Sequence, residues 1–210
     1  MVFMAQVRPY RGIEAPQRLA ERRRRLLEAG LELLGAGNPD LTELTVRAIC
    51  GRAGLTARYF YESFTDKDDF VGAVFDWVIA DIAATTQAAV AAAPPKEQSR
   101  ASMANLVRIV DDDPRVGRLV FSSQLSNSVL VRKRAESGVL FAMLSGQHVS
   151  TALRKAENER IKATAHFVVG GVAQTLSAWL SGDVALGRDQ LVDQLTAIVE
   201  QLSEPKLVDD

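Results

Sequence analysis

The chain has 210 residues, 47% of them hydrophobic, with 25 lysines and arginines against 26 aspartates and glutamates; this is enough apolar material for one or two helical domains, and the near-neutral balance selects no partner. Cys50 is the single cysteine, which excludes an intramolecular disulfide and any cysteine-rich zinc site. Charges interrupt every apolar run before the ~18 residues of a bilayer span, and Met1–Gly12 carries Arg8 and Arg11 without an apolar leader core, so the expectation is a cytoplasmic chain with no membrane partner.

The charge is unevenly placed. Through Lys67 there are eleven basic and eight acidic residues, and beyond it fourteen and eighteen, which points to an anionic partner for the first third of the chain. The periodicity is helical throughout, and no stretch alternates like a strand. Leu26, Leu27, Leu31 and Leu34 form the apolar stripe of a first helix, closed by Gly35 and by Gly37-Asn38-Pro39. Thr45 opens a short helix, Gly54 breaks it and Thr56 opens another. Asp66 caps a fourth helix, with Asp68 and Asp69 in its first turn and a stripe of Phe70, Val74, Trp77 and Ile82 that runs on to Pro94-Pro95. A second block of helices follows. Asp113-Pro114 reads as a cap with proline at the first helical position, then come runs over 126–156 and 159–180, and a last helix over 188–202 with Leu191, Leu195, Ile198, Val199 and Leu202 inward.

The stretch from Thr45 to Phe64 places two short helices around a glycine bend. Val46, Ile49 and Ala53 face inward, Gly54 takes a turn at which positive φ is cheap only for glycine, Thr56 caps the second helix, and Phe60 and Phe64 anchor it at i, i+4. With Phe60 inward and 100° per residue, Arg58 and Glu62 project about 160° away, while Tyr59 and Tyr61 sit on opposite flanks at about 100°. A helix in a DNA major groove needs this layout, with base readers outward and hydroxyl donors on the shoulders for the phosphate walls. Arg58 is the candidate reader of a guanine edge; Glu62 either accepts from a cytosine amine or holds Arg58 in place. The motif is a helix-turn-helix.

The residues Thr45 through Trp77, and above all the block Gly54-Leu-Thr-Ala-Arg-Tyr-Phe-Tyr-Glu-Ser-Phe64, resemble the DNA-binding domain of the TetR family of bacterial regulators. The resemblance implies that Thr45, Thr56, Tyr61 and Lys67 contact phosphates and that Ala57 and Arg58 face the bases. Ser63 stands where the family often carries an aromatic or a histidine, so one backbone contact is shorter or absent there. Arg58 replaces a residue that is small in many members, so base preference does not transfer. Lys67 has its own physical case, because the first turn of a helix favours a phosphate. Arg22 to Arg25, on the first helix, either reach DNA or form a solvated surface paired with Glu21 and Glu28. Cys50 packs in a small inward position.

The resemblance further implies an all-α fold of about nine helices. A three-helix DNA-binding domain over 14–66 precedes a larger ligand-binding and dimerisation domain over 67–204, with disordered tails at 1–13 and 205–210. The expected homodimer interface lies on the last two helices, through Ile161, Ala165, Val168, Val172, Leu176 and Trp179 around Gly170-Gly171, and through Leu191, Leu195, Ile198 and Leu202. For an effector pocket the candidates are Trp77, Met103, Phe121, Met143 and Phe167, with Gln124, Asn127 or His148 as polar handles. His148 and His166 show no paired spacing, and Asp111-Asp112-Asp113 reads as helix capping, so neither metal nor cofactor is expected. The leading expectation is a dimeric, ligand-responsive repressor that binds a palindromic operator on double-stranded DNA and is released by a small, largely apolar molecule. The alternatives are a regulator that senses a protein partner and a helical enzyme with an accessory helix-turn-helix. Against the enzyme, the chain shows no Ser-His-Asp set, no nucleotide-binding glycine pattern and no His/Cys metal cluster.

Overall fold

The computed structural model describes residues 15–37, 42, 44–122, 127–154, 156 and 158–203. The expected tails, Asn38-Pro39 and Gln124 lie outside the described residues. Among the described residues nine α-helices follow one another: α1 (Ala15–Leu34), α2 (Val46–Ala53), α3 (Ala57–Tyr61), α4 (Lys67–Ala92), α5 (Gln98–Asp112), α6 (Pro114–Phe121), α7 (Ser128–Leu153), α8 (Glu159–Ser181) and α9 (Arg188–Leu202), with a 3₁₀ turn at Pro95–Glu97. No strand occurs among the described residues.

The local signals explain where these helices start and stop. Thr45 accepts the Ala48 N–H at 3.1 Å, Asp66 that of Asp69 at 2.8 Å, and Asn127 those of Val129 and Leu130 at 2.9 and 3.3 Å, so three orphan helix ends are capped by short oxygen-bearing side chains. Gly182 at φ 84° closes α8 in the left-handed region that glycine adopts at least cost. Asp113 caps α6 ahead of Pro114, and its carboxylate also accepts from Arg115 Nε and Nη2 at 2.9 and 2.7 Å. These bonds hold the Asp113 carboxyl below the usual carboxylate range. Its contribution is therefore fully present above the unfolded carboxylate value and is lost as pH falls through the depressed folded one. Asp113→Asn keeps the cap but loses the charged bonds to Arg115, which should cost up to about 1 kcal/mol at neutral pH, and the melting temperatures of the two forms should converge in acid. An unchanged gap at pH 2 would contradict this role.

Helix α1 packs on α2, α4 and α6; α4 lies against α5 and α7; α5 against α9; and α8 against α7 and α6. Two apolar clusters result. The first joins Leu26, Leu34, Ile49, Phe60, Phe64, Phe70 and Phe75 to Leu119, Val129 and Leu130, so it runs without a break past Asp66 and Lys67. Cys50 belongs to it, and burial pushes its thiol up, which keeps it a protonated packing group at neutral pH. By length and composition α4 could cross a membrane, contrary to the run of charges read from the sequence. Its Phe70, Val71, Val74, Phe75, Val78 and Ile82 are instead buried in the protein's own core.

The second cluster takes up part of the expected dimer face. Leu191, Val192 and Leu195 of α9 pack with Met103 and Val107 of α5 and Leu176 of α8, with Val172 and Trp179 against them. Ile161 and Ala165 are also buried within the single chain. The apolar stripes of α8 and α9 thus face α5 to α7, which close the core from the other side. Trp179 donates its indole N–H to the Leu186 carbonyl at 2.8 Å, a further contact inside the protomer. Of the proposed interface residues, Ile198 is exposed, and Val168 and Leu202 are half-buried.

Candidate nucleic-acid interface

Helices α2 and α3 form the expected helix-turn-helix. Gly54 sits at φ 63°, ψ 39°, and the N–H of Leu55 returns to the Cys50 carbonyl at 2.9 Å. A side chain at this position costs about 1–2 kcal/mol in backbone strain alone. An added Cβ would also stand 2.8 Å from Arg25 Nη2. Gly54→Ala should therefore lower stability by about 2 kcal/mol and weaken DNA binding through misplacement of α3. Equal melting temperatures for the two forms would contradict this account of the turn.

Phe60, Phe64 and Phe70 fix α3 from below, with ring centroids 5.1 to 5.4 Å apart and Phe60 and Phe70 wholly buried. Above them Thr45, Thr56, Ala57, Arg58, Tyr61, Glu62 and Lys67 are exposed. Thr56 occupies the N-cap position but makes no capping bond with its side chain, in contrast to the sequence expectation. Its hydroxyl is thereby left available to a phosphate oxygen. Lys67 opens α4 as an exposed cation at a helix N-terminus. Two assigned residues behave differently. Ser63 buries its hydroxyl, which has no partner among the described residues, so the side chain is withdrawn from the outer surface. Tyr59 is half-buried, and the Arg22 guanidinium lies 3.9 Å from its ring centroid.

The arginine run on α1 proves to be a clamp within the protein, a role neither sequence reading contained. Arg25 donates to the Ala53 carbonyl at 2.5 Å and holds the turn. Arg23 donates to the Ser63 carbonyl at 2.7 Å and covers the Phe64 ring at 4.5 Å. Arg22 stacks on Tyr59 and faces Glu62 Oε2 at 3.8 Å, while Glu62 Oε1 accepts from Arg58 Nε at 2.9 Å. Only Arg24 turns away, to Glu21 and Glu28. Three guanidinium groups thus tie the end of α2, the turn and α3 to α1 through bonds and ring contacts far apart in sequence.

The effector-pocket candidates do not converge. Met103 lies in the second core, Phe121 is half-buried between the two cores, and Asn127 is occupied as the cap of α7. Met143, His148 and Phe167 are exposed. Trp77 lines an open cleft of about 650 Å³ with Leu27, Gly72, Ala73 and Val129, beneath Arg23 and Lys133. Asp111 and Asp112 pair with Arg188 at 3.4 and 3.7 Å, and no metal-holding group of His, Cys, Asp or Glu occurs among the described residues.

No family model and no curated protein matches the sequence. Solved structures do match its shape. A TetR-family transcriptional regulator from Syntrophomonas wolfei superimposes with a TM-score of 0.74 at 14% identity, covering 91% of this chain and 99% of the other. FadR from Bacillus subtilis, solved in complex with stearoyl-CoA, gives 0.69 at 17% identity over 86% and 97%. A TetR-like regulator from Rhodococcus sp. RHA1 gives 0.65 at 16% identity over 90% and 97%. Nearly the full length of each neighbour is covered, and the chain has the fold of the TetR-like transcriptional regulators.

Proposed function

We propose that this protein is a TetR-family transcriptional regulator and not an enzyme, a cytoplasmic repressor that binds double-stranded DNA as a homodimer. The observation that carries the reading is the exposed array of Thr45, Thr56, Arg58, Tyr61 and Lys67 on and around α3, a helix held from beneath by Phe60 and braced, together with the turn before it, from α1 by three arginines. In this reading residues 14–66 are the DNA-binding domain and 67–204 the effector and dimerisation domain. Ala57 and Arg58 face the bases; Thr45, Thr56, Tyr61 and Lys67 hold the phosphates, with Tyr59 at the edge of the contact. One reading helix per chain requires a second copy to match a two-fold operator.

The second copy is proposed to dock on α7 and α8. Val139, Leu140, Met143 and Leu144 of α7 are each 41–53% exposed, and Phe167 of α8 is 69% exposed. Gly170 and Gly171 face open space, so nothing among the described residues uses their lack of a side chain. A partner helix can approach closely there, and Phe167 supplies an aromatic anchor. The proposed effector is a small, largely apolar molecule; the stearoyl-CoA in the Bacillus subtilis FadR complex supports the apolar part of that class through its acyl chain, while its CoA part is large and anionic. Its binding favours one spacing of the two reading heads over another.

Lys67 provides a direct test. Lys67→Ala should weaken binding uniformly across sequences and reduce the slope of log affinity against log salt by about one unit. An unchanged slope would remove Lys67 from the interface.

A further inference from the structure

At the end of the reading helix, Glu62 has one carboxylate oxygen hydrogen-bonded and the other facing a second guanidinium. Oε1 accepts from Arg58 Nε at 2.9 Å, and Oε2 lies 3.8 Å from Arg22 Nη1. Arg22 is itself pinned by the Tyr59 ring, 3.9 Å from its guanidinium carbon. Arg58 remains 83% exposed, and its terminal Nη1 and Nη2 make no hydrogen bond among the described residues. A guanidinium held from the side through Nε presents its far edge, and that edge matches the O6/N7 pair of guanine. An unsupported arginine would spread over many rotamers and would meet phosphates as readily as bases.

We propose that Tyr59, Arg22 and Glu62 form a relay that orients Arg58 to read a guanine in each half-site, and that Glu62 itself reads no base. The proposal rests on the DNA-binding reading above and deepens it. Arg22 and Glu62 are positioning residues: they set the strength of a base preference without touching the base. A cytosine contact by Glu62 would require Oε2 to turn from the Arg22 guanidinium, 3.8 Å away, towards the groove. The relay also places a negative charge beside the DNA, so Glu62 should penalise binding where Arg58 finds no guanine to engage.

The test uses the full-length protein and a randomised duplex library. The selected site is then rebuilt with each base in turn at every position, and affinities are measured for wild type, Glu62→Ala, Arg22→Ala, Arg58→Ala and the Arg58→Ala/Glu62→Ala double variant. For wild type, one guanine per half-site should be preferred by about 5- to 150-fold, the range of a good bidentate contact. Glu62→Ala should lower that preference several-fold at that position alone, while affinity for unrelated DNA rises. Arg22→Ala should act at the same position and more weakly. The double variant should lose no more preference than Arg58→Ala, because Glu62 acts through Arg58. Loss in Glu62→Ala of a preference at a base pair other than the one that depends on Arg58 would overturn the proposal, as would additive losses, an equal loss at all positions, or no change. A library that yields a site with no position dependent on Arg58 sinks the relay but leaves DNA binding intact; failure to enrich any site sinks both.

Discussion

Leu195→Glu is expected to lower unfolding stability by about 4 kcal/mol or more, a large part of what a small protein possesses. Leu195 is 2% exposed and packs with Met103, Val107, Leu176 and Leu191 where α9 meets α5 and α8. Loss of a buried leucine side chain costs about 2–5 kcal/mol by itself. A carboxylate in the same position adds the penalty of an unpaired buried charge or of the proton needed to neutralise it. The sequence expectation assigned this residue to the dimer face, which predicts a folded monomer instead. Circular dichroism melts combined with light scattering separate the two: a cooperative fold of unchanged stability with halved mass would contradict the burial argument.

Phe167→Glu should do the reverse. The side chain is 69% exposed on α8, so the charge stays solvated and stability should change by less than about 0.5 kcal/mol. Two copies facing each other across α7 and α8 would instead bring like charges together and lose an aromatic anchor. The protein should become monomeric at micromolar concentration. Affinity for a two-fold site should fall about 10²- to 10⁴-fold, the advantage that two linked reading heads have over one. A variant that remains dimeric and binds DNA normally would show that this surface serves another partner.

The contrast between these residues shows what the sequence could and could not disclose. The helix-turn-helix was legible because its signals are local. Thr45 caps within three residues, Gly54 needs left-handed backbone that glycine tolerates, and Phe60 and Phe64 meet one turn apart. The bounds of α9 were legible for the same reason, from its apolar period. Its packing partner was not, since periodicity marks the apolar face of a helix without naming what covers it. Leu191 and Leu195 could as well face a second chain as α5. Helix α5 itself lacks a side-chain cap, and only the spacing of Met103, Val107 and Val110 could have placed it. The arginine clamp was hidden because Arg23 reaches Ser63 across 40 residues of chain. The polar link between α4 and α5, in which buried Asn105 donates to Thr85 and Thr86 and accepts from Arg108, left no pattern in the sequence at all. The pocket candidates could not be sorted for a related reason. Composition finds aromatics and methionines, but only packing separates a buried Met103 from an exposed Met143.

The central claim is that this chain reads DNA as a symmetric pair through α3. The most direct measurement is selection of duplexes by the full-length protein from sheared DNA of its own genome, followed by sequencing of the bound pool. The account predicts enrichment of a short inverted repeat whose halves share one sequence and are spaced by whole helical turns, with enrichment abolished in Arg58→Ala/Lys67→Ala. A bound pool without inverted symmetry, or one that the double substitution leaves unchanged, would contradict it.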